Sequence, residues 1–195
     1  MPCRVHLFCE DAAQESWARA IVERIAREEE VEVTIRSVSA KLGVPRLKHE
    51  LRAYSAAARE TAGLPDLLVV LVDANTVGRG ARLEEIAGAV DLGAFPHAVV
   101  GIPDPCVERW FLADPPSFAQ RFSSPERLIS PSDCRSWKRE LEAALVRAEE
   151  IVVGGGAEFA DEIVEVMDLF RAGKESPTLR AFVDDVRGAI RQLRP

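Results

Sequence analysis

Short apolar runs alternate with segments of helical periodicity through the first half of the chain. Four runs predict strands: RVHLFCE (4–10), VEVTIRSV (31–38), DLLVVLVD (66–73) and HAVVGI (97–102). Between them, apolar residues at helical spacing predict three helices: 11–30, a segment through Leu47, Leu51 and Tyr54 that ends near Gly63, and 80–93. This alternation indicates an α/β fold with a mostly parallel sheet of about four strands flanked by helices.

Beyond residue 115 the β-type runs nearly stop, and helical patterns replace them. Three helices are predicted there: 131–153, 156–173 and 176–193. Ser132 is expected to cap the first, while Ser176 with a proline behind it begins the last. We therefore expect an α/β core over residues 1–115 and a helical extension over residues 116–195 that packs on this core.

Composition and charge narrow the classes of function. The chain has 195 residues, of which 47% are hydrophobic and 29% charged, as in an ordinary folded protein. Its formal net charge of -7 provides no overall positive potential that would attract a polyanion. Any contact with nucleic acid must therefore come from a local group of basic residues. Basic residues that could supply such a contact, or could equally be solvated, are Arg79, Arg82, Arg135, Lys138 and Arg139.

The four cysteines form no CxxC pair and have no histidine at metal-ligand spacing, so we expect no structural zinc site. The opening MPCRVHLFCED turns acidic at once and does not resemble a signal peptide. No apolar run approaches the roughly 20 residues that span a bilayer. We expect a cytoplasmic protein with reduced thiols and no membrane contact.

Acidic or amide side chains follow three of the four predicted strands. They are Glu10 and Asp11, then Asp73 and Asn75, then Asp104 and Glu108. Ligands of open parallel sheets sit at the carboxyl ends of strands, and Mg²⁺ prefers oxygen ligands, so these positions predict a divalent-metal site. Two of them have simpler interpretations, because Asp11 would serve as a helix N-cap and Asn75 with Thr76 would form a turn.

The segment GIPDPCVERWFLAD (101–114) predicts a short helix over 106–114 that two prolines release from the preceding strand. Trp110 and Phe111 would anchor this helix in the core, and Glu108 would then face Glu10 and Asp73. The alternative is a structural ion pair between Glu108 and Arg109 or another arginine. Further along the chain, Lys138 could hold a scissile phosphate or could simply be solvated.

The order of LFCED and VVLVDANT resembles the Toprim domain of topoisomerases, primases and overcoming-lysogenization-defect nucleases. IPDPCVERWFLAD, together with SPTLRAF at 176–182, is more specifically similar to small bacterial Toprim-like proteins. The resemblance implies a Toprim/Rossmann-like fold and a nuclease or phosphodiester hydrolase that uses Mg²⁺ or Mn²⁺. Glu10, Asp73 and Glu108 would be catalytic metal ligands, with Asn75 and Asp11 as further ligands. It also implies nucleic acid, DNA in preference to RNA, as substrate, and an ATPase partner in anti-phage defence.

The chain departs from the Toprim pattern at two positions. Asp11 stands where the family usually has glycine, and Asn75 stands where it has the second aspartate. Either Asp11 or Glu108 replaces the lost charge, or the domain is a non-catalytic interaction or regulatory subunit with a degenerate metal site. A third alternative, a flavodoxin-like nucleotide-binding domain, fits the order of elements but lacks a glycine-rich phosphate loop after the first strand.

Overall fold

The computed structural model describes residues 1–39, 41–60, 63–123 and 131–194. Four strands form one sheet: β1 (Cys3–Cys9), β2 (Val33–Ser37), β3 (Leu67–Leu71) and β4 (Ala98–Gly101). Their order across the sheet is β2-β1-β3-β4, and every neighbouring pair is parallel. The predicted α/β fold with a parallel sheet flanked by helices is confirmed.

Helices connect the strands and fill the C-terminal half of the chain. Those described are α1 (Ala12–Glu28), α2 (Val44–Glu60), α3 (Arg79–Ala87), α4 (Val107–Phe111), α5 (Pro115–Phe122), α6 (Cys134–Arg147), α7 (Ala160–Val166), α8 (Leu169–Glu175) and α9 (Pro177–Gln192). Across the described parts of the chain, none of these helices combines the length and apolarity needed to cross a membrane.

The central strand β3 separates two apolar layers, because successive side chains of a strand point to opposite faces. All five of its residues are buried. Leu67, Val69 and Leu71 pack with α1 and the C-terminal helices, whereas Leu68 and Val70 pack with α2 and α3. The protein is therefore a three-layer α/β/α arrangement, which explains why the sequence of β3 is continuously apolar.

The C-terminal helices share the first of these layers with the sheet. Helix α9 contacts β4 and α1, and α7 contacts α1. The Trp110 ring of α4 stacks on Phe182 of α9 at 5.3 Å between ring centroids. Trp110 and Phe111 are fully buried, so they anchor α4 in the core as expected. A division of the chain at residue 115 stays a prediction.

Two predicted helix boundaries are wrong. The segment 156–173 is not one helix, because Met167 adopts an extended conformation with ψ of 130° and Asp168 caps a new helix through the N–H groups of Phe170 and Arg171. Helix α6 is capped by Asp133, whose side chain accepts from the backbone N–H of Ser136, and not by Ser132.

Other boundaries differ less. The helix predicted over 80–93 ends at Ala87, and a short 3₁₀ turn follows over Leu92–Ala94. The expected start of α9 is confirmed, because the Ser176 hydroxyl accepts from the backbone N–H of Leu179 and Pro177 occupies the first turn.

Candidate functional site

Asp73 follows the end of β3 and is held at both its side chain and its main chain. It is only 3% exposed. Its Oδ1 accepts a hydrogen bond of 3.0 Å from the backbone N–H of Val107, the first residue of α4. Its carbonyl accepts from Nε of Arg82 at 3.0 Å. The first residue of α4 is therefore hydrogen-bonded to the carboxylate that follows the central strand.

Glu108 lies one residue further along α4 and is 4% exposed. Its Oε1 is 3.6 Å from Nζ of Lys138 on α6, whose side chain is 51% exposed. Its Oε2 is buried and accepts no hydrogen bond of normal geometry from a described residue. The thiol of Cys106 lies beside this carboxylate, and burial together with the charge of Glu108 raises the pKa of that thiol. The alternative of an ion pair between Glu108 and an arginine is not found among the described residues, and Arg109 donates instead to the carbonyl of Asp104 at 2.8 Å. A buried carboxylate oxygen without a partner is costly unless a cation or donor meets it.

Glu10 and Asp11 lie between β1 and α1. Asp11 is the N-cap of α1, because its Oδ1 accepts from the backbone N–H of Gln14 at 2.9 Å. The Gln14 side chain returns to Glu10, where its Oε1 accepts from the backbone N–H at 2.8 Å and its Nε2 donates to the carboxylate at 3.4 Å. The capping interpretation of Asp11 is correct, and the same turn positions Glu10.

The acids lie close enough to influence one another's protonation. Burial raises the pKa of Asp73 well above its usual range, and the charges of Glu108, Asp11 and Glu10 raise it further. Burial also raises the pKa of Glu10, although hydrogen bonds from Gln14 and from the backbone of Asp73 oppose this. Burial by itself would lower the pKa of Lys138, but the charges of Glu108, Asp11 and Asp73 outweigh it and raise that pKa. The site is a desolvated acidic cluster with a lysine at its edge.

Asn75 makes a different set of contacts from the acids. It lies in a turn with φ of 49°, which supports the turn interpretation. Its backbone N–H donates to the carbonyl of Pro105 at 2.8 Å. Its Oδ1 accepts from the thiol of Cys134 at 3.0 Å, and it lines a separate cavity on the other side of α4. The amide oxygen that would bind a metal is thus engaged by a thiol.

A cavity of about 400 Å³ opens beside the acidic cluster. Asp11, Glu108 and Lys138 line it, together with Gly154 and Gly155 from the loop after α6. Within the described ranges, no group of three or more histidine, cysteine, aspartate or glutamate side chains is arranged to hold a metal ion. Mg²⁺ commonly takes one or two carboxylates and completes its shell with water and substrate phosphates. Asp73 and Glu108 would supply the two carboxylates of such a site.

Sequence reasoning missed two of the contacts that shape this site. The Cys134 thiol reaches Asn75 across 59 positions of chain, and no local pattern marks such a pair. Gln14 could have been found, because an N-cap followed three residues later by glutamine is a capping-box pattern. Here the glutamine reaches back to the residue before the cap.

No protein-family model, curated protein or solved structure matches the chain.

Proposed function

We propose that the protein is a divalent-metal-dependent phosphodiester hydrolase of the Toprim-like type, acting on nucleic acid. The observation that carries the proposal is the buried pair Asp73 and Glu108, of which the second has an unpartnered carboxylate oxygen. A cation would satisfy that oxygen and relieve the repulsion that raises the pKa of Asp73. Further support comes from the place of the pair at the carboxyl edge of a parallel sheet.

The roles follow from position and charge. Asp73 and Glu108 would hold Mg²⁺ or Mn²⁺, with Glu10 and Asp11 adding negative potential at the edge of the site. Asn75 would join them only after releasing the Cys134 thiol. A bound divalent cation supplies an activated water and neutralises the charge that develops on the phosphate during hydrolysis.

Lys138 has the position required to hold a phosphate of the substrate. It lies beside Glu108, lines the same cavity and remains half exposed, so a phosphate oxygen could contact it from solvent. Arg135 and Arg139 are exposed on the same helix and would extend this local basic surface. We propose DNA rather than RNA as the substrate, and an ATPase as the partner that delivers it in anti-phage defence.

A second function is favoured by the contact between Cys134 and Asn75. If the amide stays bound to the thiol, the site keeps its shape without completing a metal shell. The domain would then serve as a non-catalytic Toprim-like subunit that binds a regulatory or ATPase partner.

Nicking of supercoiled plasmid DNA in the presence of Mn²⁺ tests the first function. The wild type is expected to nick, while Asp73→Asn and Glu108→Gln are expected to lose at least tenfold in rate, roughly the loss of one charged ligand. Glu84→Gln, an exposed position on α3, is the matched control and should retain the rate. Loss of nicking in the control as well, or equal nicking by all variants, would contradict the proposal.

A further inference from the structure

A second and larger cavity lies on the opposite side of α4. It has a volume of about 630 Å³ and is reached from the carboxyl ends of β3 and β4 through Asn75 and Asp104. Consecutive residues of α4 serve the two cavities, because Glu108 lines the acidic one and Arg109 lines this one. The volume falls within the usual range for small-molecule sites, about 300–1,000 Å³. This volume is larger than a single ion would occupy.

The guanidinium of Arg109 is held in place without a carboxylate partner. Its Nη1 donates to the carbonyl of Asp104 at 2.8 Å, and its Nη2 donates to the carbonyl of Glu175 at 3.5 Å. No carboxylate among the described residues forms an ion pair with it, and its other N–H groups have no partner there. A guanidinium fixed by main-chain carbonyls keeps its charge and its fork of donors for an external anion.

Arg171, on the same cavity wall, is in a different state. Its Nε and Nη2 donate to the two oxygens of the buried Asp114 at 2.5 and 3.0 Å, so its charge is already matched. Arg171 nevertheless lines the cavity, so a second guanidinium is present there. Arg109 is therefore the guanidinium of this cavity that forms no ion pair with a described residue.

The remaining walls combine flat apolar surfaces with acceptors. The indole of Trp137 and the rings of Pro105 and Pro131 line the cavity. The same cavity includes Asp104 and Glu175, whose carboxylates form no ion pair with any described residue. Rings of this kind stack on planar heterocycles, and free carboxylates accept hydrogen bonds from sugar hydroxyls.

We propose that this cavity binds a nucleotide. The phosphate would pair with Arg109, the ribose hydroxyls would donate to Asp104 or Glu175, and the base would lie on the surface formed by Trp137 and the prolines. One guanidinium without an ion pair to any described residue, two carboxylate acceptors and flat apolar walls match the three parts of a nucleotide. The site needs neither a metal nor the acidic cluster, so it stands independently of the proposed hydrolase activity.

The test is a titration of the full chain with AMP in excess EDTA, followed by calorimetry and tryptophan fluorescence. Trp137 is 7% exposed and lines the cavity, whereas Trp17 and Trp110 are fully buried elsewhere. Saturable binding of AMP is expected to change the fluorescence, and adenosine is expected to bind at least tenfold more weakly because it lacks the phosphate. Trp137→Phe removes the reporting indole and should lose the fluorescence change, whatever affinity calorimetry measures for it.

Two variants locate the site without relying on one fold-sensitive residue. Arg109→Gln should weaken AMP binding at least tenfold, to the level of adenosine, while its adenosine binding stays within twofold. Ser132→Trp fills the cavity from an exposed position and should abolish binding of both ligands. Arg52→Gln, an exposed control of the same charge change on α2, should bind as wild type.

No saturable AMP binding by the wild type at millimolar concentration would overturn the proposal. Wild-type affinity in either Arg109→Gln or Ser132→Trp would also overturn it, as would a fluorescence change that persists in Trp137→Phe. Because EDTA removes divalent metal, failure here leaves the nicking result unaffected, and failure of nicking leaves this result unaffected.

Discussion

The backbone N–H of Val107 donates to Oδ1 of Asp73 over 3.0 Å. The carboxylate that follows the central strand therefore accepts a hydrogen bond from the first residue of α4. This bond delivers Glu108, the next residue of the helix, to the same desolvated pocket. Because Trp110 and Phe111 are fully buried, the helix cannot turn away without exposing the core. The two carboxylates are therefore forced together by packing, and a cation would offset their repulsion.

Asp73 makes a definite contribution to the pH dependence of stability. Burial and the neighbouring acids raise its folded-state pKa above the ordinary value of 3.8, so the folded protein binds its proton more tightly than the unfolded chain. In EDTA, stability from this group is present at low pH and lost as pH rises through the folded-state pKa. Asp73→Asn keeps an acceptor for Val107 and removes the titration.

The melting temperature of Asp73→Asn minus that of wild type should consequently increase from acidic to neutral pH in metal-free buffer. Thermal unfolding at several pH values measures this difference, in which the other titrating groups largely cancel. Asp184→Asn, at an exposed position on α9, should change the melting temperature little at any pH. A difference for Asp73→Asn that stays flat or shrinks with rising pH would show that Asp73 titrates normally.

Lys138 and Glu108 should be energetically coupled. Their charged atoms are 3.6 Å apart, but half of the lysine side chain is in solvent, which screens the pair. A double-mutant cycle with Lys138→Met and Glu108→Gln, measured by urea unfolding, should give a coupling free energy of about 0.5–1 kcal/mol. Additivity of the two changes to within about 0.3 kcal/mol would mean that the ion pair has no net effect.

Gly101 should tolerate no side chain. A Cβ at this position, the end of β4, would collide with Cδ1 of Leu71 and lie 2.7 Å from Cδ2 of Phe182 on α9. Gly101→Ala is expected to lower the free energy of unfolding by about 1–3 kcal/mol through overpacking. Gly188→Ala is the matched control, because nothing lies within 4 Å of its Cβ.

Gly188→Ala is expected to raise the free energy of unfolding by up to about 1 kcal/mol, because alanine has a higher helix propensity than glycine inside α9. Equilibrium denaturation of the two variants and of wild type measures both changes in the free energy of unfolding. Equal stability of Gly101→Ala and wild type would mean that β4 and α9 pack less closely than the structure indicates.

The sheet and the short helix α4 could be predicted because their signals are local. Periodicity marks the strands, and prolines followed by buried aromatic residues mark α4. Helix 156–173 was mispredicted because its apolar periodicity continues through Met167, where the backbone in fact turns out of the helix and Asp168 caps the next one.

The partners of the site residues could not be predicted, because they come from distant parts of the chain. Lys138 reaches Glu108 from α6, and Arg109 turns to the carbonyls of Asp104 and Glu175 rather than to its neighbour. These choices depend on how the C-terminal helices pack on α4. A sequence gives no distance between elements, so the second cavity became visible only in three dimensions.

The central claim is that Asp73 and Glu108 form a divalent-cation site, and calorimetric titration with Mn²⁺ tests it most directly. Wild type and Glu84→Gln are predicted to bind with equal affinity, while Asp73→Asn and Glu108→Gln are predicted to bind at least tenfold more weakly. Absence of binding to the wild type at millimolar Mn²⁺, or equal binding by all four proteins, would contradict the claim.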